Sequence, residues 1–385
     1  MPPTTLTAAT LEDLISAACA APSVHDVQPW RYRLDPDTVE LELHAAAERA
    51  PRRAADPSGR ALHVSAGAAL LNLRVAAVHA GWEPLIRLVP DPGEPGLLAT
   101  VRLTPRSRRR RGRGRPDLYD VLWRQHSSPL PFSGPPVPPD VLAELADAAQ
   151  TEGAALFLPG REESVRLLQL TAEAERRTAA GHQAAENRAG AERRNHTETR
   201  SRVRDGRPDW GPTGVPARAR GGGGRGPGAA YAGPYAGAEA TPDTGLEAAP
   251  DTGPDAGDRP RPVPLEHPPA LALLTTPHDR RADWLRAGQA VQHVLLVATA
   301  HRIRSSLLHQ AVEWPDLRMA LHPRHNGLVH HPQMLIRLGY GPEGPATPHR
   351  TVREVPAVNG SAPAWANGHP VPDRVTRRTP RPPAS

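Results

Sequence analysis

Apolar residues Leu11, Leu14, Ile15 and Ala18 recur at helical spacing, with Thr10 and Asp13 set as a capping pair and Pro22 stopping the run, so the chain opens with a helix. The period then switches to two. Trp30, Tyr32 and Leu34 alternate with Arg31 and Arg33, Asp35-Pro36-Asp37 turns the chain, and Val39, Leu41 and Leu43 alternate again, which predicts a β-hairpin. From Ser58 a helical run leads to Gly81, a suitable residue just past a helix end, and its largely apolar composition predicts a buried central helix. Pro84–Val89 and Leu98–Leu103 flank Asp91-Pro92-Gly93 and read as a second pair of strands.

Residues 104–117, TPRSRRRRGRGRPD, carry no apolar period and read as a linker. Beyond it the pattern predicts helices near Tyr119–Arg124, Asp140–Glu152 and Glu162–Thr178, with a strand at Ala154–Leu158. From about 181 to 264 apolar residues thin out in favour of Gly, Pro, Ala and Arg. Such a segment buries too little surface to offset its conformational entropy and is expected to be a disordered insertion or a loose flap. A strand at Leu271–Thr275, a helix at Ala282–His301 and a strand at Met334–Tyr340 follow, and a Pro- and Arg-rich tail runs from 357 to 385. The expected organisation is a first lobe over 1–103, the linker over 104–117, a second lobe over 118–356 carrying the insertion, and the tail. Ala66-Gly67-x-Ala69 and Ala287-Gly288-x-Ala290 each begin an apolar stretch on one of the two long helices, a short internal echo.

Composition narrows the chemistry. The chain has 385 residues, room for two ordinary domains. Its one cysteine, Cys19, falls within the first helical run and reads as core packing, and disulfide frameworks and cysteine-ligated metal sites are excluded. All 47 basic residues are Arg, so Schiff-base catalysis and the P-loop lysine are excluded too. The start lacks a basic region followed by an apolar run, and no uninterrupted apolar stretch is long enough to span a bilayer; a soluble, cytoplasmic protein without membrane association is expected. The net charge of +6 and the Arg run 106–115 carry no interleaved aromatic residues for stacking bases, which argues against nucleic acid as a partner. His322, His325, His330 and His331 have no compact ligand spacing and no carboxylates among them, so no metal site is expected.

The residues best placed for chemistry lie between the first helix and the hairpin, Ala21–Trp30, APSVHDVQPW. Ser, His, Asp, Gln and Trp crowd a short elbow there, as a binding loop requires. This stretch resembles the loop APSxHNxQPW of the actinobacterial, FMN-binding branch of the nitroreductase family. Further similar segments are the Ala287–His301 helix, the closing strand within Pro332–Gly341, and Arg350, where the family carries a phosphate-reaching arginine. The resemblance implies an α+β nitroreductase-like fold of two fused lobes with antiparallel sheets and long buried central helices. It also implies a pseudo-dimer in one chain, monomeric or homodimeric, with FMN at the pseudo-dimer interface.

The cofactor-binding residues it implies are Ser23, His25, Asp26 and Gln28 from the elbow, Arg124, Ser127 and Ser128 from the segment before Phe132, and Arg350. No catalytic side chain is required, because the flavin performs the hydride chemistry. The implied activity takes hydride from NAD(P)H onto FMN and passes electrons to a small-molecule nitroaromatic or quinone-like acceptor. Two departures from the pattern keep other readings open. Asp26 stands where the family has Asn, and an ionised carboxylate only accepts hydrogen bonds and repels phosphate and anionic reduced flavin. Arg124-Gln125-His126-Ser127-Ser128-Pro129 retains fewer basic positions than the family's phosphate-gripping run, and each lost charged hydrogen bond removes on the order of 1.5–3 kcal/mol of binding. The alternatives are a non-catalytic FMN-sequestering protein and a degenerate member that binds no flavin.

Overall fold

The structure, a computed structural model, describes residues 6–24, 28–35, 40–46, 56, 58–106, 117–125, 132, 134–181, 269–323 and 330–341. The chain divides into two compact units. The described residues of Met1–Trp123 with Arg280–Gln292 form the first, and those of Arg124–Asp279 with His293–Thr347 the second.

In the first unit, α1 (Ala8–Cys19) starts one turn earlier than the expected Thr10 cap. Thr7 holds the cap position in extended conformation, and its Oγ1 accepts the Thr10 amide at 3.1 Å. Thr10 lies inside the first turn, where its own backbone is already helical. Leu14, Ala17 and Ala18 are fully buried. β1 (Trp30–Asp35) and β2 (Glu40–Ala45) pair antiparallel from Trp30↔Ala45 to Asp35↔Glu40, the predicted hairpin. α2 (Arg60–His79) follows Gly59, whose φ of 74° suits a residue without Cβ, and the Asp56 carboxylate accepts the Leu62 amide at 3.0 Å, satisfying one orphan donor at the positive end of the helix. The helix is apolar enough to cross a membrane by length and composition, yet 83% of that stretch is buried inside the protein, as in a core helix. β3 (Trp82–Leu88) and β4 (Leu97–Pro105) complete the sheet, with Gly93 N donating to Asp91 Oδ1 at 2.7 Å in the connecting turn. β4 reaches two residues into the expected linker, and residues 107–116 of that stretch lie outside the described residues. The short α3 (Tyr119–Leu122), expected to open the second lobe, belongs to the first unit.

The second unit contains α4 (Pro139–Thr151), β5 (Ala155–Phe157), α5 over residues 161–181 and β6 (Ala270–Thr276). It continues with the end of α6 (Arg281–Ala300), then β7 (Arg304–Leu308), α7 (Gln310–Glu313), α8 (Pro315–Ala320) and β8 (His331–Gly339). Leu167 and Ala174 of α5, Leu271, Leu273 and Leu335 of the sheet, and Leu317 after α7 share one core. Arg318 of α8 binds Asp279 with two nitrogens at 2.9 and 2.6 Å and donates from Nε to the Pro332 carbonyl. The expected insertion, from 182 onward, and the tail lie outside the described residues.

The two sheets share one plan. Strand order is β1-β2-β4-β3 in the first and β5-β6-β8-β7 in the second, every pair antiparallel. In each, a 20-residue helix separates the second strand from the third. Each second strand also carries a register shift against the fourth, at Leu43/His44 and at Leu274/Thr275. This is an α+β architecture of antiparallel sheets and long buried helices.

Within the first unit the two echoing glycines meet. A Cβ built on Gly67 would lie 2.2 Å from Leu285 O and 3.0 Å from Gly288 Cα; one built on Gly288 would lie 1.9 Å from Val64 O and 2.9 Å from Gly67 Cα. The backbones of α2 and α6 touch, and only glycine fits at either position.

Candidate functional site

The elbow is built by the elements on either side of it and by α2. Gln28 adopts φ 44°, in the left-handed region that costs a residue with Cβ. Three hydrogen bonds hold this backbone. Gln28 N donates to Ser23 Oγ at 3.2 Å, Gln28 Nε2 donates to the Cys19 carbonyl at the end of α1 at 2.6 Å, and Val24 N donates to Ser65 Oγ of α2 at 2.9 Å. Trp30 N donates to Gln28 O at 2.9 Å, and the Trp30 side chain is buried, so the strand after the elbow starts from a fixed point.

The site residues expected from the sequence divide three ways. Ser23 and Gln28 come together, half-buried, and hydrogen-bond within the elbow. Ser23 Oγ accepts the Gln28 amide and retains its own proton for a ligand; Gln28 has spent an amide hydrogen on Cys19 and retains its Oε1. Arg124 is exposed and belongs to the second unit. His25, Asp26, Ser127, Ser128 and Arg350 lie outside the described residues.

Beneath the elbow lie polar residues that no motif in the sequence marks. Ser65 is buried on α2, accepts the loop amide of Val24, and donates to Ala61 O at 2.7 Å. Asn72, also on α2 and fully buried, donates from Nδ2 to Ala17 O at 3.0 Å and accepts Gln292 Nε2 at 2.7 Å. Hydroxyl and amide side chains in a largely apolar helix were the available signal, since a buried polar group has to find a partner. His63 is buried on the same helix. Its Nδ1 lies 2.6 Å from the Gly59 carbonyl, which can only accept, so Nδ1 carries the proton. Its ring meets Trp284 edge-on at 5.5 Å. Burial holds its pKa below the ordinary value of 6.5, and Arg281 pushes the same way, while the Gly59 carbonyl and Asp56 oppose them. Burial likewise raises the Tyr32 phenol well above its usual range, with Cys19 contributing, and its hydroxyl has no partner among the described residues.

Among the described residues no group of three His, Cys, Asp or Glu side chains is placed to hold a metal ion. His322 bonds to the Met319 carbonyl at 2.9 Å and His330 approaches Thr275 Oγ1 at 3.4 Å, while His325 lies outside the described residues.

No protein-family model matches the chain. Among solved structures, a nitroreductase with bound FMN from Bacteroides fragilis is similar with a TM-score of 0.31 and 14% identity, over 62% of this chain and 95% of that one, a likeness too distant to bear on the reading. Curated sequences are nearer. The chain is 28% identical over 356 residues to an uncharacterized protein, Rv3127, of Mycobacterium tuberculosis H37Rv, covering 89% of this chain and 90% of that protein. It is 30% identical over 361 residues to a protein of the same organism with the provisional name NAD(P)H nitroreductase Rv3131, covering 90% of this chain and 91% of its relative. With that identity sustained over nearly the full length of both proteins, the chain belongs to the nitroreductase family.

Proposed function

We propose that the protein is an FMN-dependent NAD(P)H oxidoreductase that delivers electrons to a nitroaromatic or quinone-like acceptor. The observation that carries this reading is the preformed elbow, where a left-handed Gln28 is held by hydrogen bonds to Ser23 and Cys19 in the loop that resembles the family's flavin loop. Strained backbone persists where the surroundings over-determine it, which is common at ligand sites.

The described residues fit the group. Ser23 would donate its remaining proton to an acceptor on the cofactor, and Gln28 Oε1 would accept from an N–H. Bound flavin supplies the hydride chemistry, and the protein's part is to hold, orient and shield it. Trp30 and the end of α1, which flank the elbow in sequence, are buried.

The purified protein, loaded with FMN and freed of excess, is expected to be yellow and to bleach with NADPH. A colourless protein refutes the proposal. Asp26 stands where the resembling loop has Asn, and a carboxylate at that sequence position would oppose the charge of reduced flavin; this favours a second reading, flavin held without turnover, which a yellow protein that stays oxidised under NADPH would support. Asp26→Asn is expected to tighten FMN binding about tenfold, equivalent to about 1.4 kcal/mol. Unchanged affinity would refute the electrostatic argument. The shared strand order and the two equivalent 20-residue helices support a duplicated unit in which one polypeptide does the work of two subunits. A single-chain mass by light scattering is the expected result, and a stable dimer mass opposes it.

A further inference from the structure

We propose that Ser65 is the positioning residue of the flavin loop, setting the height and angle of the elbow from the rigid crossing of α2 and α6. This rests on the function proposed above.

The Ser65 hydroxyl gives its proton to the carbonyl of Ala61, one turn back on its own helix, at 2.7 Å. That bond fixes the rotor and turns a lone pair outward, so toward the loop Ser65 acts purely as an acceptor. The donor it meets is the amide of Val24, 41 residues away in sequence and buried with it. Val24 follows Ser23 directly, and Ser23 Oγ in turn accepts the amide of the strained Gln28. A chain of bonds thus runs from α2 through Val24 and Ser23 to Gln28. Two residues beyond Ser65, Gly67 lies in backbone contact with α6, where a Cβ has no room. The loop is therefore referenced to a helix whose backbone is in direct contact with α6 two residues further on, as a site needs when close placement of its donors determines affinity.

The position asks for a hydroxyl. Alanine leaves the Val24 amide buried without its acceptor; threonine keeps the oxygen; cysteine keeps the approximate volume but offers only a weak acceptor. In Ser65→Ala the elbow loses its reference to α2 while α1, through Cys19, still holds Gln28.

The test compares wild type, Ser65→Ala and Ser65→Thr by FMN fluorescence quenching, hydrogen exchange at the Val24 amide, thermal unfolding, and turnover with NADPH at saturating FMN. Ser65→Ala is expected to weaken FMN binding about tenfold, the scale of one lost organising hydrogen bond. The Val24 amide should lose protection, and kcat at saturating FMN should fall by less than FMN affinity does, because the loss falls first on placement of the loop. Ser65→Thr should restore affinity. If Ser65→Ala does not fold, Ser65→Cys carries the same expectation. Faster Val24 exchange with unchanged FMN affinity would make Ser65 structural only and overturn this proposal while leaving the function standing. A wild-type protein that binds no FMN defeats both.

Discussion

Replacing Gly288 with alanine pits helix propensity against a backbone contact. On an unobstructed helix Gly→Ala gains about 1 kcal/mol, because glycine loses more conformational freedom on folding. At Gly288 the new methyl would lie 1.9 Å from Val64 O, 2.8 Å from Val64 C and 2.9 Å from Gly67 Cα. Bringing the first of these to an ordinary contact of about 3.4 Å requires α2 and α6 to part by about 1.5 Å. The obstacles are backbone atoms, so no rotamer change relieves them. Separation would also stretch the Asn72–Gln292 hydrogen bond at 2.7 Å and the Arg74–Gln289 bond at 2.9 Å. Overpacking of this kind costs about 3 kcal/mol at the upper end of the usual range, and after the propensity gain a net loss of about 2 kcal/mol remains. For a unit of this size that lowers Tm by about 4–8 °C. Calorimetry of Gly288→Ala beside Gly181→Ala, where nothing lies within 4 Å of the added Cβ, separates the two effects. A Gly288→Ala protein as stable as wild type, or more stable, would refute the reasoning.

Two further outcomes follow from the buried polar groups of α2. Because His63 is held below 6.5 in the folded protein, the unfolded chain takes up a proton first as pH falls; stability should therefore drop from about pH 7 downward until the folded pKa is reached, by up to about 1.4 kcal/mol per pH unit. His63→Gln should flatten that decline between pH 7.5 and 5.5, and parallel pH profiles for the two proteins would refute it. Asn72→Ala strips the Ala17 carbonyl and the Gln292 amide of the bonds they make to Asn72, at about 1–3 kcal/mol for each buried group left unmet; urea unfolding should show a lower midpoint at unchanged slope, and an unmoved midpoint would contradict it.

The elements were largely legible along the chain, and their ends were not. The hairpin at Trp30–Ala45 was announced by strict alternation and α2 by an apolar run ending before Gly81. The cap of α1 moved from Thr10 to Thr7, since both are threonines and only the backbone conformation distinguishes them. β7 gave too little signal: Arg304-Ser-Ser-Leu-Leu is short, and Ser305, buried at 3% exposure, has the polarity of a surface residue. At the candidate site, the sequence singled out Ser23 and Gln28 because their loop resembles a known one, whereas Ser65 lay hidden in a helix 41 residues on.

What the sequence determined by itself was periodicity, local chemistry and kinship: which faces are apolar, where the elbow lies, and which family shares it. Tertiary structure decided the pairings. An apolar stripe requires burial without naming its partner, and a buried polar group requires a bond without saying to what. The echo of Gly67 and Gly288 was visible in the chain, but that the two glycines press backbone to backbone, and that Ser65 beside them holds the loop, depended on the path of the chain through space. The physical reason is range: propensity and periodicity act over a few residues, whereas hydrogen bonds such as Gln292–Asn72 and Val24–Ser65 join residues that only the finished fold brings within 3 Å.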